Sequence, residues 1–327
     1  MIVMKINTCH ISQIPTNIYK ILRKFEISSI SVSIFSYENN NSKDIFVDYF
    51  FDNGSYWVNI YHKREYSKGV FDSYVSRGYT TPISNMSDKL LIEFWEHYIS
   101  YKSTDGFICE LFKPHPLLPH ENIGLLEKNK IFIKKVCSIE LKKESDFFKV
   151  CKSKNRNILR KSLKLGNQHI VSINLDDFKD NYNEEMSSKN ATSEYFLDTD
   201  AYISDAKDFI RIDVLSNKKE VLAAGLFFIS DKYIEYGLSY ITPNGKRSGA
   251  GVHLIYSAFE EAQLRNLDIF YLGGGISSED NDPLYKFKSS LSNMLSDYYI
   301  YPVIYNNKKY KQITSGMNRS KLLCYRN

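Results

Sequence analysis

The amino-acid sequence predicts a mixed α/β (α+β) chain of two consecutive domains. In both halves, strand-like runs of β-branched and aromatic residues are followed by amphipathic helical patterns. The 327 residues fit about two domains at ~100–200 residues each. Hydrophobic residues make up 43% and charged residues 25%, which are ordinary values for a folded protein and exclude a largely disordered chain.

The first third of the sequence predicts an antiparallel meander, then a helix and a strand. Three runs are rich in β-branched and aromatic residues: 27–35, 44–51 and 56–61. The last two flank an Asp-Asn-Gly-Ser sequence at 52–55, which is typical of a hairpin turn. Apolar residues at helical spacing predict a helix over 88–101 with Ser87 as its N-cap. A strand over 106–111 and a proline-rich stretch at 113–120 follow.

The rest of the sequence predicts a basic helix and then alternating strands and helices. A strand-like run at 128–141 precedes an amphipathic, lysine-rich helix at about 145–166. Further strands are predicted at 210–215, 221–229, 233–241 and 269–272, with a loop at 242–248 and a helix at 249–266. We divide the chain into domains of residues 1–135 and 136–327.

Charge and cysteine content narrow the class of function. The net charge of +5 is too small and dispersed for a dedicated nucleic-acid binder, but suits an anionic small substrate. The five cysteines form no C-x-x-C pair, which predicts reduced thiols and no metal site. Polar residues interrupt the first 15 positions, and no stretch reaches the ~18 apolar residues of a membrane span. We expect a cytoplasmic protein without membrane insertion.

The segment after the predicted strand 233–241 has the composition of an anion-binding turn. Residues 243–248 are Pro-Asn-Gly-Lys-Arg-Ser, and Gly249-Ala250-Gly251 opens an amphipathic helix. Backbone N–H groups and the helix dipole favour a phosphate at such a helix start, and glycines permit close approach. The spacing matches neither a Walker A loop nor a dinucleotide fingerprint. On spacing alone, a phosphate site and a ligand-free turn are equally good interpretations.

Several motifs resemble those of GNAT acyltransferases. Lys246-x-x-Gly249-x-Gly251 resembles their pyrophosphate-binding turn, Gln/Arg-x-x-Gly-x-Gly/Ala, with Lys at the first position. The glycines of residues 271–275 and the sequence Asp-Pro-Leu-Tyr-Lys-Phe-Lys at 282–288 resemble the strand-five glycines and the D-x-L-x-x-F-K signature of the FemAB-like, double-GNAT branch.

Upstream segments resemble other elements of the same branch. Residues 76–82 are similar to its G-Y-x-G-P element, and 110–118 to its R-x-H-P-L element. Residues 155–162 resemble the basic helix that begins its second domain. Thr81 replaces a glycine, and Lys113 or Phe112 stands where the branch carries Arg. The resemblance implies two tandem GNAT-like domains, of which the first is degenerate because nothing in it resembles the turn at 246–251.

The resemblance implies an N-acyltransferase with acyl-CoA as co-substrate and no metal. The members of this branch that the sequence resembles move an acyl group, such as acetyl or 3-hydroxybutyryl, to the amine of a dTDP-linked amino-deoxy sugar for surface polysaccharides. The alternative on the same fold is an aminoacyl-tRNA-dependent transferase that extends peptidoglycan side chains. The small net charge and the lack of heptads disfavour a nucleic-acid partner. A non-catalytic binding module is the third class, and the sequence leaves the oligomeric state open.

The resemblance also implies binding residues. Those expected to contact CoA are Lys246, Arg247, Ser248, Gly249, Ala250 and Gly251 in the turn, and Gly237 and Ser239 where strands four and five of a GNAT fold separate. Those expected to contact the acceptor are Tyr79, Arg156, Arg160 and Gly274. For the two arginines, a solvated helix face is the simpler alternative.

Three residues are candidates for catalysis. By resemblance, Lys288 stabilises the developing oxyanion or binds an acceptor phosphate, and Tyr285 protonates the departing thiolate. A solvated lysine and a packed tyrosine are the alternatives. An amine must lose a proton before it attacks a thioester, and His115 is our first candidate for the base. The others are His120, His253, Glu235, Asp282 and bound water.

Overall fold

The computed structural model describes residues 4–24, 45–73, 79, 82–117, 128–142, 144–191, 196, 209–230, 232–319 and 321–326. They form two compact units. The first holds the described residues up to 133 together with 298–326, and the second holds 134–297. The chain thus returns to the first unit at its C-terminal end, whereas our division by sequence places that end in the second domain. Residues 301–304 of the last strand pair with residues 109–112 of the first unit. Because this contact joins segments far apart in the chain, no local sequence signal marks it.

The chain mixes runs of strands with helices. From the start they are β1 (Asn7–His10), α1 (Thr16–Lys24), β2 (Ile45–Asp52), β3 (Ser55–Ser67), β4 (Val70–Ser73), β5 (Ile83–Ser84), α2 (Asp88–Thr104), β6 (Phe107–Phe112) and β7 (Ile131–Glu140). Next are α3 (Phe147–Val150), α4 (Ser153–Lys164), β8 (Gln168–Ser172), α5 (Phe178–Ser188), β9 (Phe209–Leu215), β10 (Val221–Ile229) and β11 (Tyr233–Ile241). The last are α6 (Pro243–Ser248), α7 (Ala250–Leu264), β12 (Ile269–Gly274), α8 (Pro283–Ser289), β13 (Met294–Ile304) and α9 (Asn307–Ile313).

In the first unit, β1 to β4 are successive antiparallel neighbours, β4 and β6 are parallel, and β6 pairs with β13. The predicted hairpin is confirmed: Asn53 and Gly54 adopt φ angles of 48° and 82°, as a two-residue hairpin turn requires. The predicted helix is also confirmed as α2, which packs Phe94, Trp95 and Tyr98 into an aromatic core.

In the second unit, the strand order is β7-β12-β11-β10-β9-β8. Strands β8 to β11 are antiparallel neighbours, and β11 is parallel to β12. Because parallel neighbours need a crossover, α6 and α7 connect β11 to β12. Residues of α4 and α7 share one core with the sheet, while α5 belongs to a second core that includes Leu226 and Tyr240.

Two helical predictions differ from the structure. The basic helix is interrupted between α3 and α4, where the Arg156 guanidinium donates to the carbonyls of Phe148 and Cys151. The predicted loop at 242–248 contains α6, because Thr242 caps it and Pro243 occupies its first turn. The predicted strand 27–35 lies outside the described residues. In the part of the chain that the structure describes, no helix is long and apolar enough to cross a membrane.

The two units share one order of elements. Three antiparallel strands (β2–β4 or β9–β11) are followed by a helical crossover and then by a strand parallel to the third. The crossover is α2 in the first unit, and α6 with α7 in the second.

Candidate functional site

The parallel strands β11 and β12 pair briefly and then separate. Three residue pairs join them, the last being Glu235 with Tyr271, although β11 continues to Ile241 and β12 to Gly274. Among the described residues, the edge of β11 beyond Glu235 has no strand partner on the β12 side. We call this opening the strand split. Such an edge offers backbone N–H and C=O groups to an extended ligand.

A β-bulge lies at the strand split. A register shift against β10 makes Gly237 an extra residue of β11. A Cβ atom at Gly237 would lie 3.0 Å from the Leu226 carbonyl oxygen and would overlap the Phe228 ring, so a larger residue displaces its neighbours. The bulge places Tyr236 against the core of α7 and Leu238 against the core of α5. Bulges of this kind re-aim side chains beside functional sites.

Glycines form the corner where β12 ends. Gly273 has a φ of 74°. A Cβ atom at Gly274 would lie 2.8 Å from the Lys135 carbonyl oxygen, and one at Gly275 would lie 2.7 Å from the Asp282 carboxyl carbon. Gly274, predicted to contact the acceptor, thus packs tightly against β7.

Asp282 fixes the start of α8. Its Oδ1 accepts the Tyr285 N–H at 2.8 Å, and its Oδ2 accepts those of Ile276 and Ser277 at 3.1 Å each. The hydrogen bond from Tyr285, followed by those from the preceding loop, lowers the pKa of Asp282. Both oxygens are engaged in holding the loop, which does not suit a general base.

Helix α8 carries Lys288 into the strand split. The side chain is only 9% exposed, and its Nζ lies 5.4 Å from the centroid of the Tyr236 ring. A Cβ atom at Gly273 would be 3.4 Å from that Nζ. In the described parts of the chain, no oxygen accepts a hydrogen bond from it. Burial lowers the pKa of Lys288 to about 8, so a substantial neutral fraction exists near pH 8.

Tyr285 and Ser239 lie in the same unit. Tyr285, one turn before Lys288, is half-buried and packs against the core of α7. Burial raises its pKa, so its phenol keeps its proton at neutral pH. The Ser239 hydroxyl hydrogen-bonds to the Tyr236 hydroxyl within the part of β11 that has no β12 partner. The structure therefore places two predicted residues, Gly237 and Ser239, on β11 at the strand split, and two more, Tyr285 and Lys288, on α8.

The predicted phosphate turn consists of the end of α6 and the start of α7. Gly249, with a φ of 80°, ends α6 and precedes α7, which has no side-chain cap. A Cβ atom at Gly249 would be 2.6 Å from Ile158, and one at Gly251 would be 2.8 Å from Ile241. These glycines are thus required by packing inside the protein, and Ala250 is fully buried. The N–H groups of the first turn of α7 still lack intrahelical acceptors.

The polar side chains of the turn have local partners. Lys246 forms an ion pair with Glu185 at 3.0 Å. The Arg247 guanidinium donates to the side-chain oxygen of Asn244. The Ser248 hydroxyl donates to the Gly245 carbonyl of α6 at 3.2 Å. Lys246 and Arg247 are exposed, so both contribute positive potential at the start of α7.

The two predicted acceptor-binding arginines differ in their surroundings. Arg156 is committed to the carbonyls of Phe148 and Cys151, where it holds the junction between α3 and α4. Arg160 is exposed, donates to Asn157 at 3.2 Å and lies 5.5 Å from the Phe148 ring centroid. Of the two, Arg160 is therefore the more accessible to an anion.

His115 and Tyr79 belong to the first unit. His115 has no exposed surface; its Nδ1 accepts the Leu117 N–H at 3.1 Å, and its ring centroid is 4.3 Å from that of Tyr79. Burial lowers its pKa well below the usual value, so it stays neutral. The predicted site residues thus divide between the two units, and His120 lies outside the described residues.

Residues that sequence reasoning missed also lie near Lys288. Cys137 of β7 pairs in register with Gly273, and Lys134 Nζ donates to the Gly275 carbonyl at 2.7 Å. The ring of Tyr236 faces Lys288. No motif marks these residues. Only the antiparallel pairing of β7 with β12 reveals Cys137 and Lys134. Within the described ranges, no group of three or more His, Cys, Asp or Glu side chains is placed to hold a metal ion.

Comparison with known proteins agrees with this architecture. No family model and no curated protein matches the chain. Among solved structures, FemX is 11% identical, with a TM-score of 0.68 over 94% of this chain and 99% of that one. L-PGS from Bacillus licheniformis is 12% identical, with a TM-score of 0.59 over 90% and 93%. A tandem GNAT protein from the clavulanic acid biosynthesis pathway is 8% identical, with a TM-score of 0.51 over 93% and 99%. The predicted fold of two tandem GNAT-like domains is confirmed.

Proposed function

We propose that this protein is an N-acyltransferase that moves an acyl group from CoA to the amine of a nucleotide-linked amino-deoxy sugar. The observation that carries the proposal is the strand split, where β11 and β12 separate beside a buried lysine without an acceptor among the described residues. A thioester and an amine need such a place, with free backbone groups and an ionisable side chain.

In this proposal, the acyl-CoA donor binds along β11 and at the start of α7. The pantetheine arm pairs with the free edge of β11 beyond Glu235, which brings its thioester to the bulge at Gly237. The pyrophosphate binds the N–H groups that start α7, beside Lys246 and Arg247. The exposed positive charge there and the absence of a side-chain cap support this placement.

The chemistry is direct transfer. The amine nitrogen bonds to the thioester carbon, a tetrahedral intermediate forms, and the bond to sulfur breaks. Burial raises the pKa of the Cys137 thiol, which makes Cys137 a poor nucleophile and favours direct attack over an acyl-enzyme. Tyr285 supplies a proton to the departing thiolate.

The acceptor class rests on the motif resemblance and on charge. A nucleotide-linked sugar is anionic, and the chain carries a net charge of +5. Arg160, the exposed arginine of α4, contacts a phosphate of the acceptor in this proposal. The reaction belongs to surface-polysaccharide synthesis in the cytoplasm.

A second candidate is an aminoacyl-tRNA-dependent transferase. The similarity to FemX over 94% of this chain favours it. The two candidates differ in their donor, and therefore in the leaving group that an assay detects.

The test incubates the purified protein with mixed acyl-CoAs and dTDP-amino sugars, and in parallel with aminoacyl-tRNA and a peptidoglycan precursor. We expect thiol release together with an acylated sugar nucleotide by mass spectrometry. Lys288→Met should lose this activity, whereas Lys286→Met, an exposed position of the same helix, is the matched control. Turnover of aminoacyl-tRNA alone would support the second candidate, and turnover of neither donor would overturn both.

A further inference from the structure

We propose that Lys288, in its neutral form, is the general base that takes a proton from the acceptor amine. This inference rests on the proposed function, because it names how the same site activates its nucleophile. It replaces the expectation that His115 is the base, and it competes with an oxyanion or phosphate-binding role for Lys288.

The position of Lys288 fits proton transfer at the strand split. Its Nζ packs against Gly273 on β12 and lies over the Tyr236 ring on β11, so it is close to both strands where they have separated. The side chain is 9% exposed, which leaves a narrow access for a substrate atom. A base must come within hydrogen-bond distance of the proton that it removes, and its own lone pair must be free.

The charges around Lys288 leave it without an ion pair in the described structure. Cys137 is a buried thiol that keeps its proton, and both oxygens of Asp282 accept backbone N–H groups. The Lys134 ammonium lowers the pKa of Lys288, while Glu235, Cys137 and Asp282 raise it. Burial outweighs these effects and brings the pKa to about 8. The neutral amine is therefore present at physiological pH.

The other candidate bases fit less well. The His253 ring is 1% exposed, and its Nδ1 hydrogen-bonds to the Ser162 hydroxyl at 2.9 Å. Asp282 holds the loop before α8. Glu235 belongs to the paired part of β11, in register with Phe228 of β10 and Tyr271 of β12, whereas Lys288 lies where β11 and β12 have separated.

The proton balance is complete without a further reactant. The acceptor enters as an ammonium and gives one proton to the Lys288 amine. The free amine then forms the bond to carbon, and the bond to sulfur breaks. Tyr285 gives its proton to the departing CoA sulfur and regains the second proton of the nitrogen, and Lys288 returns its proton to solvent. The products are the amide, the CoA thiol and one proton.

The first experiment compares two nucleophiles in Lys288→Met and Lys288→Arg, with Lys286→Met as the control. Loss of a general base should lower turnover with the amino sugar by ~10². Hydroxylamine is neutral at neutral pH and needs no deprotonation before attack, so its loss should be smaller by at least ~10-fold. Arginine keeps the positive charge but cannot accept a proton, and should fail like methionine. Circular dichroism of each variant checks that it is folded.

A role as oxyanion stabiliser predicts the opposite pattern. Equal losses with both nucleophiles, or an active Lys288→Arg enzyme, would overturn the inference while leaving the proposed function intact. An increase in the Michaelis constant for the sugar alone would assign Lys288 to an acceptor phosphate instead.

The second experiment titrates Lys288 without turnover. Competitive labelling with acetic anhydride across a pH series, followed by peptide mass spectrometry, should give Lys288 a pKa of about 8. A pKa at the usual 10.5 would refute the base. If no thioester is turned over at all, the proposed function fails and the catalytic role of Lys288 fails with it. Even then, the titration shows separately whether the pKa of Lys288 is lowered.

Discussion

The two units follow the same order of elements, but each buries a lysine in a different electrostatic setting. In the first unit, Lys102 and Asp48 have no exposed surface and form an ion pair at 3.0 Å. In the second unit, Lys288 has no such partner among the described residues. A buried charge with a partner is a structural element, whereas a buried amine without one is typical of a functional site.

The parallel strand pairs show the same contrast. Each extends over three residue pairs, ending at Ser73 with Glu110 in the first unit and at Glu235 with Tyr271 in the second. Glu110 accepts hydrogen bonds from Ser73 at 3.0 Å, from Asn59 at 2.8 Å and from the Tyr305 hydroxyl at 2.5 Å. The first unit therefore fills the end of its parallel pair with a satisfied polar network.

Removing the paired lysine should have the largest effect on stability. Lys102→Met leaves the Asp48 carboxylate buried without its cation, which should lower the free energy of unfolding by about 3–5 kcal/mol. Both tryptophans, Trp57 and Trp95, lie in the core of the first unit, so their fluorescence in urea reports its unfolding. The double variant Asp48→Asn, Lys102→Met should recover part of the loss. If Lys102→Met is as stable as the wild type, Lys102 is not a structural element of the first unit, and the contrast with Lys288 is wrong.

The unpaired lysine should instead make stability depend on pH. Its pKa is about 8 in the folded protein and 10.5 when unfolded, so the unfolded chain binds more protons between these values. Stability therefore rises with pH across that window relative to Lys288→Met, by on the order of 1–3 kcal/mol. Thermal unfolding followed by circular dichroism at several pH values measures it. A constant difference between wild type and variant would contradict the lowered pKa.

The bulge glycine should affect activity more than folding. Gly237→Ala pushes against the Phe228 ring and the Leu226 carbonyl, which shifts the free edge of β11. We expect kcat/KM for acyl-CoA to fall by at least ~10-fold, or about 1.4 kcal/mol. Lys286→Met, an exposed position of α8, serves as the control. An unchanged kcat/KM in Gly237→Ala would place the thioester elsewhere.

The smallest expected effect concerns the C-terminal segment of the first unit. The Tyr325 hydroxyl and the Arg326 guanidinium donate to the buried Asp72 carboxylate at 2.9 and 2.8 Å. Tyr325→Phe removes one of these hydrogen bonds and should lower the free energy of unfolding by about 1 kcal/mol. Tryptophan fluorescence in urea again measures it. A loss well above that would mean that the hydroxyl supports the wider packing of the segment.

Local signals in the sequence determined the strands, the hairpin and one strand of the site. The bounds 221–229 and 233–241 are those of β10 and β11, because β-branched and aromatic runs end there at turn residues. The two-residue turn at Asn53 and Gly54 follows from the same kind of local rule. Lys288, Tyr285, Gly237 and Ser239 could be named from motifs because those motifs lie within single segments.

Only the tertiary structure decided which of these residues meet and in what charge state. That β13 pairs with β6, and that Cys137 lies opposite Gly273, depends on pairing between segments far apart in the chain. The break between α3 and α4 depends on Arg156, whose partners are backbone carbonyls that no sequence pattern marks. The lowered pKa of Lys288 results from burial, and burial is a property of everything packed around a side chain. The signature at 282–288 could therefore name the lysine, but only the fold around it sets its chemistry.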